Sequence, residues 1–176
     1  MSVFLQPIYT QTVGAGGQFG ITFNNIPQTF TDLVLQISAR NVSAVTTIDM
    51  YIGAINGDSG TNYSSTYLFA NGSSVASGRG SNATVVTIGQ VPGASATSNT
   101  FGSATVTIPN YTSSNYKQII SDCVTENNAT AVNTWMSANL WRGTAAISYF
   151  TVYLSGGSNL SQYTDISLYG VLRQGI

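Results

Sequence analysis

Apart from its hydroxyls, this 176-residue chain offers only six carboxylates, five cations and one thiol, with no histidine, for acid–base, ionic or nucleophilic chemistry. Glycoside hydrolysis by paired carboxylates needs two acids facing each other, about 5 to 9.5 Å apart. Asp32, Asp49, Asp58, Asp122, Glu126 and Asp165 are spread along the chain, mostly where strands end or turns begin. An Asp in such a place ordinarily bonds its own backbone, so these acids read as turn residues; Asp49, Asp58 and Asp122 are the three to test for turnover. The stretch Asn56-Gly57-Asp58-Ser59-Gly60-Thr61-Asn62 resembles a calcium loop, but Gly60 stands at its fifth position and Tyr67 at its twelfth. The metal needs an oxygen ligand at the fifth and a bidentate Glu at the twelfth, so an ordinary turn is expected. Serine is plentiful, yet no histidine exists to act as its base and no Gly-x-Ser-x-Gly elbow occurs. Cys123 is alone, so it forms no internal disulfide and reads as a small buried side chain. Lys117 follows Tyr116 rather than a glycine run, so no phosphate-cradling loop is present. The chain reads as non-enzymatic, with no catalytic residue, no metal and no cofactor.

What replaces charge is neutral polarity: 22 Ser, 22 Thr and 15 Asn against a formal net charge of −1. Such a chain is fitted to lie against other protein through hydroxyls and amides. A phosphate-neutralising groove needs several cations together, whereas Arg40, Arg79, Lys117, Arg142 and Arg173 are scattered in sequence; nucleic acid is not an expected partner. No window approaches the ~18 consecutive apolar residues of a membrane span, and no secretory pattern opens the chain. Membrane association is not expected, synthesis in a cytoplasm is, and the seven Asn-x-Ser/Thr sequons read as a product of composition.

The elements that must position these residues are strands. Apolar residues alternate over Thr31–Arg40, Ile48–Gly53, Thr84–Gly89, Ser103–Ile108, Lys117–Val124, Thr134–Trp141, Ala145–Leu154 and Thr164–Leu172. Val, Ile, Thr, Tyr and Phe dominate these runs, as a pleated sheet favours. Gly- and Asn-rich clusters separate them, at residues 14–17, 56–60, 71–74 and 155–159, and supply the positive φ of tight turns. Asn71-Gly72 resembles a two-residue hairpin turn. Short strands at fairly even spacing predict an all-β, antiparallel β-sandwich, jelly-roll-like with about eight strands. One domain is expected over residues 1–176, with residues 1–17 an N-terminal arm or edge strand. Asn56–Tyr63 and Gly89–Thr100 are the most loop-like stretches.

Ten Tyr, seven Phe and two Trp form the most informative side-chain class. Aromatic rings beside Asn and Ser suit a sugar- or protein-binding surface, and Tyr63, Tyr67 and Phe69 together with Tyr111 and Tyr116 are the candidate contact surface. Trp135 and Trp141 are six apart, so a regular strand turns both to the same side, and both are assigned to the core.

An ordered set of landmarks resembles a family of tailed-bacteriophage virion proteins of marine and cyanobacterial phages. The set runs from residues 26–35 (IPQTFTDLVL) through Asn62-Tyr63-Ser64-Ser65-Thr66, Asn71-Gly72-Ser73, Ser77-Gly78-Arg79 and Ile108-Pro109-Asn110-Tyr111 with Lys117. It closes with Trp141-Arg142, Ala145-Ala146-Ile147 and Ile166-Ser167-Leu168-Tyr169-Gly170. The resemblance implies a non-enzymatic β-sandwich on the outer surface of the virion. Its compact length favours a capsid decoration (cement) protein that binds the major capsid protein, as a homo-oligomer with a trimer matching the three-fold positions of the shell. The other role the resemblance implies is a tail-fibre or receptor-binding module recognising a host surface glycan.

Overall fold

The structure, a computed structural model, describes residues 4–128 and 133–173. Its strands are β1 (Phe4–Thr12), β2 (Gly20–Phe23), β3 (Asp32–Ala39), β4 (Thr47–Gly53), β5 (Tyr63–Ala70) and β6 (Val75–Ala83). They continue with β7 (Val85–Pro92), β8 (Gly102–Pro109), β9 (Lys117–Thr125), β10 (Asn133–Trp141), β11 (Phe150–Leu154) and β12 (Asp165–Leu172). All pair antiparallel in two sheets. One has eight strands in the order β1-β12-β3-β8-β9-β10-β5-β6, the other four in the order β2-β11-β4-β7. The two pack face to face as a β-sandwich. Twelve described strands split eight and four exceed the eight or so that the alternating runs announce. The expected N-terminal arm or edge strand is an edge strand over Phe4–Thr12, paired with β12.

Alternation decides which side chains meet in the middle. In β9, Ile119 and Cys123 point inward while Gln118, Ile120, Asp122 and Val124 point out. In β10, Trp135 and Trp141 are buried on the same side, as their spacing requires. They join Leu33, Leu35 and Ile37 of β3, Val106 and Ile108 of β8, and Ile21, Met50, Ile52, Val86, Ile88, Phe150 and Val152 of the smaller sheet in one core. Each fully buried Leu, Ile, Val or Phe side chain contributes about 1.5–3 kcal/mol.

The smaller sheet presents the edge of β7 to the larger one, and the residues beneath it are correspondingly small and polar. Ser65 Oγ accepts the Thr87 N–H at 3.2 Å, and Ser137 Oγ donates to the Thr87 carbonyl at 3.0 Å. Thr125 Oγ1 and Cys123 Sγ donate to the Gln90 carbonyl at 2.8 and 3.1 Å. Ser121 and Ser137 share a hydrogen bond of 2.5 Å, and Asn139 Nδ2 reaches Ser137 Oγ at 2.8 Å. A buried backbone group left unmade costs about 1–3 kcal/mol. These hydroxyls therefore close an edge that would otherwise lie unsatisfied inside the sandwich.

Local chemistry also explains two departures from the alternating pattern. The run Ala145–Leu154 becomes strand only from Phe150. Before it, Asn56 Oδ1 accepts the N–H of Ser148 and Tyr149, and the Ile147 N–H bonds Tyr111 O, so the backbone is held away from any ladder. Asn71-Gly72 lies in a four-residue loop between β5 and β6 instead of a two-residue turn. There Asn71 Oδ1 accepts from the N–H groups of Ser73 and Ser74.

Candidate interaction surface

The acids are dispersed, and five of the six are tied to neighbours. Asp32 pairs with Arg173 at 2.7 Å and accepts the Asn110 N–H at 2.9 Å. Asp165 accepts from Thr12 Oγ1, and Glu126 from the Asn128 N–H. Asp49 lies on the outward face of the smaller sheet, held by Gln90 Nε2 at 2.7 Å. Asp122 points outward from β9 on the opposite face of the sandwich. Asp49 and Asp122 therefore cannot face each other across one substrate. Among the described residues no three of His, Cys, Asp or Glu gather to hold a metal ion.

The calcium-like stretch folds as a turn pinned by aromatic donors. Trp141 Nε1 donates to Asp58 Oδ2 at 2.8 Å, Asn62 Nδ2 and the Gly60 N–H donate to the same carboxylate, and Tyr63 Oη donates to the Asp58 carbonyl at 2.8 Å. Burial works against the Asp58 charge, but the bonds from Trp141, Gly60 and Asn62 outweigh it and hold the carboxyl below its ordinary range. Cys123 is buried against β7, and that burial pushes its thiol up to about 11. A thiol of that kind is almost wholly protonated near neutrality and a poor nucleophile.

The five aromatic candidates separate by exposure. Tyr63 and Tyr111 are fully buried, which removes them from any contact surface. Each has a backbone carbonyl for its hydroxyl, Asp58 O for Tyr63 and Pro27 O for Tyr111, so the polar tip is satisfied inside the fold. Burial raises both phenols, that of Tyr63 to about 12. Tyr67 and Phe69 are half-buried and stack on Trp135, with ring centroids 4.3 and 5.6 Å from the indole. They extend the core where the smaller sheet does not reach. Tyr116 alone is well exposed, at 55 %.

Two surfaces lie outside that set. The first is the outward face of β9, β10 and β5, where Ile120, Val124, Met136 and Leu68 are exposed. Strand register sets Met136 beside Leu68 and Ala138 beside Ile120. They surround an open apolar depression of about 540 Å³ that also takes in Thr66 and Ser77. Asp122 and Arg79 are the only charged residues at the outward positions of β5, β6, β9 and β10. The signal was present in the sequence: Ile120, Val124 and Met136 occupy the solvent phase of otherwise regular alternation. The second surface is a row of rings outside the smaller sheet, Phe19 stacked on Tyr153 at 5.8 Å and Tyr153 edge-on to Tyr51 at 5.9 Å. Phe19 is 54 % exposed.

Cations scattered in sequence are less so in space. Arg173 pairs with Asp32. Arg40 donates to the carbonyls of Ala96, Thr97 and Thr100. Lys117 is buried, donating to Ser113 O and Asn115 O at 2.8 and 2.6 Å, with Trp141 beneath it. That burial lowers its ammonium pKa. Arg79 and Arg142 meet at the corner where β5 begins. No helix among the described residues is long and apolar enough to cross a membrane. No family model, curated protein or solved structure matches the chain.

Proposed function

We propose that the chain is a non-enzymatic structural protein of a tailed-bacteriophage virion, a capsid decoration protein that secures the head by binding the major capsid protein. The observation that carries this reading is the exposed apolar face of β9, β10 and β5, almost free of charge and ringed by Ser and Thr. A contiguous exposed apolar patch of this kind marks a protein contact. Its scarcity of charge makes attachment depend little on salt, since screened ion pairs are not the adhesive. Many weak copies gripping one shell gain durability through multivalency, commonly 10² to 10⁴ in avidity. The homo-oligomer is a trimer, seated at three-fold positions. Heads assembled without the protein are expected to lose heat resistance while whole particles still adsorb to cells; unchanged heat resistance would remove the reading.

A second reading, a tail-fibre or receptor-binding module for a host glycan, has one observation in its favour. The Phe19–Tyr153–Tyr51 row has Phe19 exposed and its two tyrosines half-buried beside the Asp49–Gln90 pair, and aromatic rings with adjacent polar groups suit sugars. Blocked adsorption by the purified protein supports this alternative, and free adsorption in its presence removes it.

A further inference from the structure

Three of the five cations are engaged in holding the fold: Arg173 by its ion pair, Arg40 by a cluster of carbonyls, and Lys117 by burial over Trp141. The remaining two line one depression of about 340 Å³ with Ser64, Ser81 and Asn82, over the buried Tyr63. Its construction is local. Opposite Ser64 the β5–β6 ladder carries an extra residue, a bulge between the Tyr63–Ala83 and Ser65–Gly80 pairs. Asn82 takes the left-handed conformation there, with φ +52°. Bulges re-aim side chains, and this one brings Asn82 Oδ1 to 3.2 Å from Arg142 Nη2, which also donates to Thr61 O at 2.6 Å. Thr61 belongs to the turn that Trp141 and Tyr63 pin through Asp58. Arg142 is thereby fixed from two sides with part of its guanidinium fork unused. Arg79 has no hydrogen-bond or ion-pair partner among the described residues, and no acid lines the depression.

We infer that this corner is a binding site for an oxyanion carried by an acidic saccharide, a uronate carboxylate or a sulfate ester. Two guanidinium groups without a counter-charge match a planar carboxylate or a sulfate. The hydroxyls and amide beside them match the hydroxyl groups flanking such an anion on a sugar ring. The volume lies at the small end of the roughly 300–1,000 Å³ typical of small-molecule sites, sized for one acidic residue of a longer saccharide. A peptide ligand would want apolar footing as well, and the apolar depression on this sheet shares no lining residue with this corner. The inference stands apart from the capsid reading, because it needs only the isolated chain.

The test is titration of the purified full chain, by calorimetry and amide chemical shifts at low salt. The probes are inorganic sulfate, a heparin-derived hexasaccharide, hexagalacturonate, uncharged maltohexaose and hexaglutamate. At least one acidic saccharide is expected to bind, more tightly than inorganic sulfate or hexaglutamate, while maltohexaose does not; which one binds identifies sulfate or carboxylate as the anion. Arg79→Gln is expected to weaken that binding at least tenfold, with Arg79→Lys recovering part of the loss and added salt weakening the wild type. Arg79 is exposed and unpartnered, so its variants keep the fold, which the melting temperature checks. Arg142→Gln is read beside them wherever it also melts normally. Absence of binding to both acidic saccharides overturns the inference, as does equal affinity in Arg79→Gln. Tighter binding of hexaglutamate overturns it in favour of an acidic protein segment. If Arg79→Gln only promotes self-association, the arginine guards the edge of β6 and the inference fails.

Discussion

Gly89 sits directly on Cys123: a β-carbon placed on the glycine would fall 2.4 Å from Cys123 Cβ and 2.6 Å from its sulfur. The glycine also has φ +138°, at the bulge where the β4–β7 register shifts. The missing side chain lets β7 lie close against β9, where Cys123 and Thr125 reach the Gln90 carbonyl.

Gly89→Ala is accordingly expected to destabilise the fold by about 3 kcal/mol, from overpacking together with backbone strain. In a Cys123→Gly background the clash is gone, and the same change is expected to cost about 1 kcal/mol. Urea unfolding of the four proteins in this cycle measures the difference, and equal costs in both backgrounds would refute the contact's role.

How far this packing could be read in advance depended on which residues faced inward. The β9 and β10 runs were legible as strands from their β-branched and aromatic residues between turn clusters, although both faces of each carry apolar side chains. β5 and β6 were not, since the inward positions of β6 are Ala76, Gly78 and Gly80, and Tyr67 occupies the space a side chain at Gly78 would need. Buried Ser65, Ser121, Ser137 and Asn139 blurred the period further: Ser65 and Ser137 bond the backbone of β7 in the opposite sheet, and Ser121 and Asn139 bond Ser137. The arginine corner was invisible for a related reason: a bulge and a pinned turn bring Arg79 to Arg142, and neither leaves a pattern in sequence. Residue type alone points to Tyr63 and Tyr111 as contact residues, and type does not reveal that a backbone carbonyl waits inside for each hydroxyl.

Alkaline pH is expected to weaken the fold through two buried acids. The Cys123 thiol rises from 9.0 to about 11 and the Tyr63 phenol from 10.0 to about 12. Below pH 9 both groups are protonated, folded or unfolded, and their contribution is complete. Between the unfolded and folded values the unfolded chain releases a proton that the folded chain keeps, so stability falls by roughly 1.4 kcal/mol per pH unit per group. Unfolding free energies from pH 8 to 12 check this, and Cys123→Ala is expected to flatten the slope between pH 9 and 11. An unchanged slope in that variant would contradict the assignment.

The Asp58–Trp141 bond anchors the turn whose Thr61 carbonyl holds Arg142 at the arginine corner. Asp58→Ala leaves the indole N–H without its acceptor and is expected to cost about 1–2 kcal/mol. Asp58→Asn retains an acceptor oxygen and is expected to cost less. Thermal melts of both variants test the order, and a larger loss in Asn than in Ala would contradict it.

The apolar face is where attachment is expected to fail first. Met136 is 56 % exposed, so Met136→Asp is expected to leave the melting temperature within a few degrees of wild type. The direct measurement is co-sedimentation of purified protein with phage heads assembled without it. Saturable binding by the wild type, reduced at least tenfold in Met136→Asp and unaltered by Tyr116→Ala, is what a decoration protein docked through β9, β10 and β5 predicts. Heads that fail to take up the wild type, or that take up Met136→Asp equally well, would contradict the account.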